Sequence, residues 1–549
     1  MTMVARTGVS TMTTAEAVVE ALLRHGVTTI YGVPGVHNDP LFDACYFARD
    51  RLRLIHTRHE QGSAYMALGA ALATGQPQVF TAVPGPGFLN TTAALLTAFG
   101  MNAPVIGLLG QIPQNHIERG HGFLHEIRDQ LGLASHISKY TGRIGAAHEA
   151  PGLVADAIHC ATSGRPRPAI LECPMDVWGR RGAVAFDTAP RPPFHPPLDD
   201  EAVDAAARIL GHSQRPLIVV GGGAQDASAE VIALAEILEA PVVAYRRGQG
   251  VVPATHRLNV SLPIAHRLWA DADVVLGVGT RLFLQQSQWG VDETLKVVRV
   301  DIDPEEPNRF RKAAAAVIAD AQEGCRALLR RIPAHNGPRP PRSDELAGHR
   351  AWLTARFAGL EPQVGFLNAI RAALPADGIF VDEVTQVGFA SRLAFPVLRP
   401  RTYFSPGYQD TLGWGLGAAL GIKAARPDVP VLAIAGDGGF MYQVGELATA
   451  VQHGIAVVVV VFDNALFGNV RLLQETLYGN RTIASDLVNP DFVKLAEAFG
   501  VAALRATDPP GLERAIREAL SMNRPALIHV PCGPMPSPWD LIFMPRVRG

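Results

Sequence analysis

Along the chain, helical hydrophobic periodicity alternates with short, wholly apolar runs. Thr14–His25 carries a helical pattern and is followed at once by the strand-like Thr29–Val33. Pro216–Val220 leads into Gly221-Gly222-Gly223, Val431–Ala435 into Gly436-Asp437-Gly438, and Ile455–Phe462 into Asp463-Asn464. Runs without polar alternation are buried on both faces, as the strands of parallel sheets are. Helices alternating with such strands predict an α/β fold of doubly wound parallel sheets. Two proline-rich stretches, Pro190–Pro197 and Pro333–Arg342, cannot continue a helix or a central strand and read as extended linkers. They divide the chain into three domains, about 1–187, 198–332 and 345–549.

Composition agrees with that division. A chain of 549 residues has ample material for several buried cores. Its 48% hydrophobic and 18% charged residues exclude a disordered chain. A net charge of −2 provides no basic field for nucleic acid and no polybasic membrane patch. Cys45, Cys160, Cys173, Cys325 and Cys532 have neither CxxC nor metal-ligand spacing, which fits buried thiols in a reducing compartment. The N-terminus lacks a basic-then-apolar leader, and no apolar run is long enough to span a bilayer. A cytoplasmic protein without nucleic-acid or membrane partners is expected.

The candidate chemistry starts at Gly436-Asp437-Gly438, with 24 residues between it and Asp463-Asn464. Two parallel strands would set Asp437 and Asn464 side by side at their C-terminal ends, where α/β sheets bind ligands. A carboxylate, an amide oxygen and a nearby backbone carbonyl are hard donors suited to Mg²⁺. The glycines admit a diphosphate close to the backbone, and a helix expected from near Met441 would aim its N–H groups at it. Alone, a Gly-Asp-Gly is usually a tight turn; the flanking strands and the closing Asp-Asn set this one apart. Gly221–Gly223 lacks the full dinucleotide-binding spacing and reads as a structural turn.

Other motifs connect with this one. Thr57-Arg58-His59-Glu60-Gln61-Gly62, Pro84-Gly85-Pro86-Gly87 with Asn90, Gly110-Gln111, and the Gly436 and Asp463 segments occur in that order. Together they resemble thiamine-diphosphate (ThDP) enzymes of the acetolactate synthase, benzaldehyde lyase and 2-oxo acid decarboxylase superfamily, and the likeness covers essentially the whole chain. It implies a pyrimidine-binding, a central and a diphosphate-binding domain. Glu60 matches the carboxylate that hydrogen-bonds the cofactor's pyrimidine, with Pro84, Gly85 and Asn90 around it. Asp437, Asn464 and the main-chain oxygen of Leu466 match the Mg²⁺ ligands. Gly436, Gly438, Gly439, Phe467 and Gly468 complete the expected cofactor cradle. Leu412 matches the bulky residue that bends the cofactor, and Asp410 stands where relatives often have a glycine. Because Glu60 would serve a cofactor held by another subunit, the resemblance implies self-association as a dimer of dimers.

The residues over the reacting carbon are His37, His125 and Gln111. His37 lies in a Gly-x-His pattern similar to that of benzaldehyde lyase and guanidino-oxopentanoate decarboxylases. A histidine that titrates near neutrality suits proton shuttling at an adduct's hydroxyl. His125 matches a position that relatives aim at the substrate, and Gln111 matches a Gly-Gln that contacts the substrate carbonyl or carboxylate. Phe467, Val470 and Leu473 are expected as pocket walls or as core. Arg246 and Arg247 could face an anionic substrate or simply the solvent, and solvent is the favoured expectation. Thr280–Gln285 keeps the first arginine of the flavin segment of acetolactate synthases and lacks its acidic pair, so FAD is not expected.

The expected activity is a non-oxidative, ThDP- and Mg²⁺-dependent lyase or carboligase acting on 2-oxo acids or 2-hydroxy ketones. Decarboxylase, acyloin lyase-ligase and true acetolactate synthase stay open at this stage. A catalytically silent paralogue would have lost Glu60 or the metal ligands, and this chain retains them. A nicotinamide oxidoreductase would leave the Asp437/Asn464 pair unexplained.

Overall fold

The computed structural model describes residues 8–187 and 189–549. Three six-stranded sheets, parallel throughout, follow one another along the chain. The first contains β2 (Thr29–Gly32), β3 (Arg53–His56), β4 (Gln78–Ala82), β5 (Val105–Gln111), β6 (Tyr140–Arg143) and β7 (Ala169–Pro174), and β1 (Ser10–Thr13) pairs antiparallel with β8 (Arg181–Val184) outside it. The second contains β9 (Pro216–Val220), β10 (Val242–Ala244), β11 (Asn259–Val260), β12 (Val274–Val278), β13 (Lys296–Asp301) and β14 (Ala315–Ile318). The third contains β15 (Ile379–Val381), β16 (Tyr403–Phe404), β17 (Val431–Gly436), β18 (Val458–Asp463), β19 (Ala502–Arg505) and β20 (Ala526–Pro531).

The first and third sheets share one strand order. It runs β3-β2-β4-β5-β7-β6 in the first and β16-β15-β17-β18-β20-β19 in the third. The central order, β11-β10-β9-β12-β13-β14, is the other common doubly wound arrangement. The apolar runs became strands because both of their faces are covered: every residue of β5, and Val458–Phe462 of β18, is buried. The expected α/β class with parallel sheets is thus the observed one.

The terminal domains are packed together through two apolar helices, Glu60–Thr74 and Trp414–Ala425, within one continuous core. A Cβ on Gly69 would overlap the carbonyl of Ala418, and one on Gly421 would overlap that of Met66. The backbones therefore touch where side chains would hold them apart. Pro190–Pro197 has no regular structure, and Pro333–Arg342 holds only the end of a short 3₁₀ turn. Beyond it, Leu346 and Leu353 of the helix Ser343–Phe357 pack into the central core, as do Leu541, Ile542 and Met544 near the C-terminus. Among the described residues, no helix is long and apolar enough to cross a membrane.

Candidate active site

At the C-terminal edge of the third sheet, β17 and β18 end in adjacent register, Gly436 beside Phe462. This opens a cavity of about 130 Å³. It is lined by Leu412, Gly436, Asp437, Gly438 and Gly439 on one side, and by Asn464, Leu466, Phe467 and Gly468 on the other. Val384, Gln386, Phe389, Val470 and Met535 complete the wall, so the lining is apolar apart from a few amide, hydroxyl and carboxylate groups. Val470 belongs to the wall and Leu473 lies outside it, and both are exposed. The helix expected from Met441 starts earlier, at Asp437 itself, with Gly436 as its cap.

Behind Asp437, the one carboxylate in the cavity lining, a second carboxylate lies close. Asn489 Nδ2 donates to Asp437 Oδ2 at 2.7 Å and to Asp463 Oδ1 at 2.8 Å. His529 Nε2 lies 3.0 Å from Asp463 Oδ2. Burial raises the pKa of Asp437. Burial also opposes ionisation of Asp463, but hydrogen bonds from His529 and Asn489 prevail and hold its pKa low. Two carboxylates bridged by one amide, with His529 beside one of them and, among the described residues, no Lys or Arg hydrogen-bonded to either, fit a divalent cation. Among the described residues, no group of three or more His, Cys, Asp or Glu is placed to hold a metal. A site of one carboxylate, one amide oxygen and one backbone carbonyl would not form such a group.

Beside the cavity, Glu383 is fully buried and accepts hydrogen bonds from the backbone N–H of Gly413 at 3.0 Å and of Gly415 at 2.8 Å. It fastens the loop that presents Leu412. Burial pushes Glu383 up to about 8. Asp410 precedes the same loop with φ +46°, a conformation glycine adopts freely and Asp tolerates better than most residues. Its carboxylate is held by Arg392 at 2.7 Å and by Arg246 of the central domain at 2.8 Å.

The N-terminal candidates gather at the corresponding edge of the first sheet. His37 follows β2, is 1% exposed, and places Nε2 3.0 Å from the carbonyl oxygen of Leu124. Its ring stacks on His125, centroids 5.0 Å apart and planes 21° from parallel. Burial lowers the pKa of His37, and the neighbouring His125 lowers it further. Among the described residues, the buried Nδ1 atoms of both rings have no hydrogen-bond partner. His125 has φ +65°, and a Cβ on Gly85 would overlap its carbonyl oxygen, which brings the Pro84-Gly85 turn against it. A Cβ on Gly110 would likewise run into His37 and Asn38.

Gln111 lies close by but is engaged elsewhere. Its Nε2 donates to Glu172 at 3.1 Å and its Oε1 accepts from the N–H of Ile112 at 2.8 Å. Glu172 is fully buried and also receives Gln130 at 2.9 Å and Arg143 at 2.5 Å. Glu60 opens the helix Glu60–Thr74, half-buried, and accepts from Asn90 Nδ2 at 3.0 Å.

In the central domain, Gly221–Gly223 and Thr280–Arg281 line a cavity of about 760 Å³ where the strand order reverses between β9 and β12. Arg246 and Arg247 line it too, so neither faces open solvent as their sequence suggested. Arg246 is drawn inward by Asp410, and burial takes Arg247 down to about 9.

Three family descriptions match the chain in order. They are the N-terminal TPP binding domain of thiamine pyrophosphate enzymes over 12–133, the central domain over 203–328, and the C-terminal TPP binding domain over 383–530. The fold and the two site halves thus define a class of α/β enzyme built around thiamine diphosphate. The chain belongs to the thiamine pyrophosphate enzyme family. It is 34% identical over 534 residues to a probable 2-ketoarginine decarboxylase of Pseudomonas aeruginosa, covering 95% of this chain and 94% of that one. A probable acetolactate synthase large subunit of Methanocaldococcus jannaschii is 32% identical, covering 95% and 92%. The acetolactate synthase isozyme 2 large subunit of Escherichia coli is 31% identical, covering 97% of each chain.

Sequence reasoning marked Asp463 only as the residue before Asn464, and it missed Asn489, His529 and Glu383. Asp463 and Glu383 end or follow apolar runs at sheet edges, a position that flags them. Asn489 and His529 carry no such local signal.

Proposed function

We propose that this chain is a non-oxidative, ThDP- and Mg²⁺-dependent enzyme that breaks or forms a carbon–carbon bond beside the carbonyl of a 2-oxo acid or 2-hydroxy ketone. Bound thiamine diphosphate supplies the carbon nucleophile and electron sink for such chemistry. Asp437, Asn464 and the backbone oxygen of Leu466 would hold the metal, and Gly436–Gly439 would admit the diphosphate. Leu412, Phe467 and Val470 would exclude water. Glu60, oriented by Asn90, would hold a proton against the pyrimidine ring.

The observation that carries the reading toward decarboxylase or acyloin lyase-ligase is the stacked His37–His125 pair. Leu124 accepts from His37 Nε2, which assigns the proton to that nitrogen and leaves Nδ1 as a free acceptor. Burial keeps the ring neutral, in the state needed to take a proton from a substrate hydroxyl. Gln111, bound to Glu172 in this chain, would reach a substrate only by exchanging that partner.

We further propose self-association, a dimer or dimer of dimers. The Asp437 cavity is lined only by residues of the third domain and the segments that follow it, which supports completion by the His37 and Glu60 surfaces of a second chain. Such an enzyme would need no flavin for its chemistry and would work in the cytoplasm.

The test is an NMR assay of the purified protein with ThDP and Mg²⁺. Pyruvate, benzoylformate, benzoin and 2-ketoarginine are offered separately. Loss of a 2-oxo acid with release of an aldehyde indicates a decarboxylase, and formation of acetolactate indicates a synthase. Cleavage of benzoin alone indicates a lyase. No turnover of any of them, with ThDP unbound, would overturn the reading.

A further inference from the structure

The structure assigns Glu446 as the positioning residue for Glu60, reaching from the third domain to the turn that launches the helix Glu60–Thr74. This rests on the reading of Glu60 given above. Glu446 begins the helix Glu446–Gln452, shortly after the Asp437 turn, and is 1% exposed. Its carboxylate accepts from the backbone N–H of Arg58 at 3.2 Å and of His59 at 3.1 Å. Thr449 Oγ1 donates to it at 2.6 Å and fixes its orientation.

These bonds do what a helix cap does, but from another domain. A helix start leaves backbone N–H groups without intrahelical partners, and the residues just before it are free to swing. His59 supplies the local cap with its own ring, accepting from Gln61 N–H at 3.1 Å. Among the described residues, the backbone N–H groups of Arg58 and His59 are satisfied only by Glu446. Gly62 is needed as well, because a Cβ there would overlap the Glu446 carboxylate.

The rest of the helix has little freedom. Its body is pinned against Trp414–Ala425 by the close approaches at Gly69 and Gly421. At the Glu60 end, Thr57 Oγ1 ties the turn at 57–59 internally, to the His59 carbonyl at 2.9 Å and to Ser63 Oγ at 2.5 Å, and Glu446 holds its backbone N–H groups from the third domain. A carboxylate catalyst loses much of its effect when displaced by about 1 Å. Glu446 therefore matters for catalysis through Glu60 without touching substrate or cofactor.

The test compares Glu446→Gln, Thr449→Val and Glu60→Gln in the full chain. Three quantities are read: exchange of the thiazolium C2 proton of bound ThDP, ThDP affinity, and amide hydrogen exchange of Arg58 and His59 in the cofactor-free protein. For Glu446→Gln we expect faster amide exchange at 58–59, C2 exchange and kcat slowed by about tenfold or more, and ThDP affinity within about threefold. Thr449→Val should act in the same direction and less strongly, and it decides the matter should Glu446→Gln fail to fold. In Glu446→Gln/Glu60→Gln the first change should add nothing to the second. Normal C2 exchange in the folded Glu446→Gln and Thr449→Val variants, or fully additive effects in the double variant, would overturn the inference. Normal C2 exchange in Glu60→Gln would instead remove the reading on which it rests.

Discussion

The first and third sheets have the same strand order, yet their C-terminal edges carry opposite chemistry. After β4 the first sheet places Pro84-Gly85; after β17, its counterpart, the third places Gly436-Asp437. After β5 comes Ile112 beyond Gln111; after β18 come Asn464 and the cavity. Both edges bury a carboxylate, and the treatment of that carboxylate separates them. Burial raises the pKa of Glu172, but a guanidinium and two amides bound to it offset part of that cost within the fold. Asp437 has one amide and a second carboxylate nearby. The frame decides where the loops converge, and the supply of counter-charges decides how a buried acid is balanced there.

The strongest way to break the comparison is Asp437→Asn, which removes the unmatched charge. Mg²⁺-dependent ThDP affinity should fall by more than about 100-fold, since even outer-shell partners of metal sites are worth roughly 10–100-fold. Titration calorimetry reads this directly, and unchanged affinity would make Asp437 as structural as Glu172. Next in size is His37→Ala at the other edge. Turnover should drop by about 10²–10⁴ with ThDP affinity nearly unchanged, while loss of the buried, stacked ring should also lower the melting temperature.

Glu172→Gln sharpens the contrast from the structural side. It should lower stability by about 1–3 kcal/mol, measured by denaturant unfolding, because an NH₂ group replaces one of the two oxygens that accept from Arg143, Gln111 and Gln130. Mg²⁺ affinity should not move. The smallest expected effect concerns pH. Glu383 ionises near 4.5 in ordinary surroundings and near 8 here, so between those values the folded chain holds a proton that the unfolded chain has released. Stability from this group is therefore full below 4.5 and falls as pH rises toward 8. Glu383→Gln should flatten that slope in melting curves recorded across the interval; an unchanged slope would show that Glu383 is ionised throughout.

Much of this was legible in the chain itself. The unbroken apolar runs declare strands buried on both faces, and the helices between them declare doubly wound sheets, which the structure contains. The glycines and acids that end those runs mark the sheet edges where chemistry collects. That a sequence alone can mark Asp437 and Asn464 follows from their position, directly after apolar strands. Arg246 read as a surface residue because no local pattern shows that Asp410, 164 residues away in sequence, draws it inward.

The sequence by itself determined the fold class, the sheet edges and the residue types available at them, because burial periodicity and turn chemistry are local. Only the tertiary structure decided which of those residues meet. It stacked His37 on His125, tied Gln111 to Glu172, set Asn489 between two carboxylates and brought Glu446 beneath Glu60's turn. Hydrogen bonds and charge pairs of this kind depend on angles and on distances of a few ångströms, which arise when separate elements pack and which no single stretch of chain encodes.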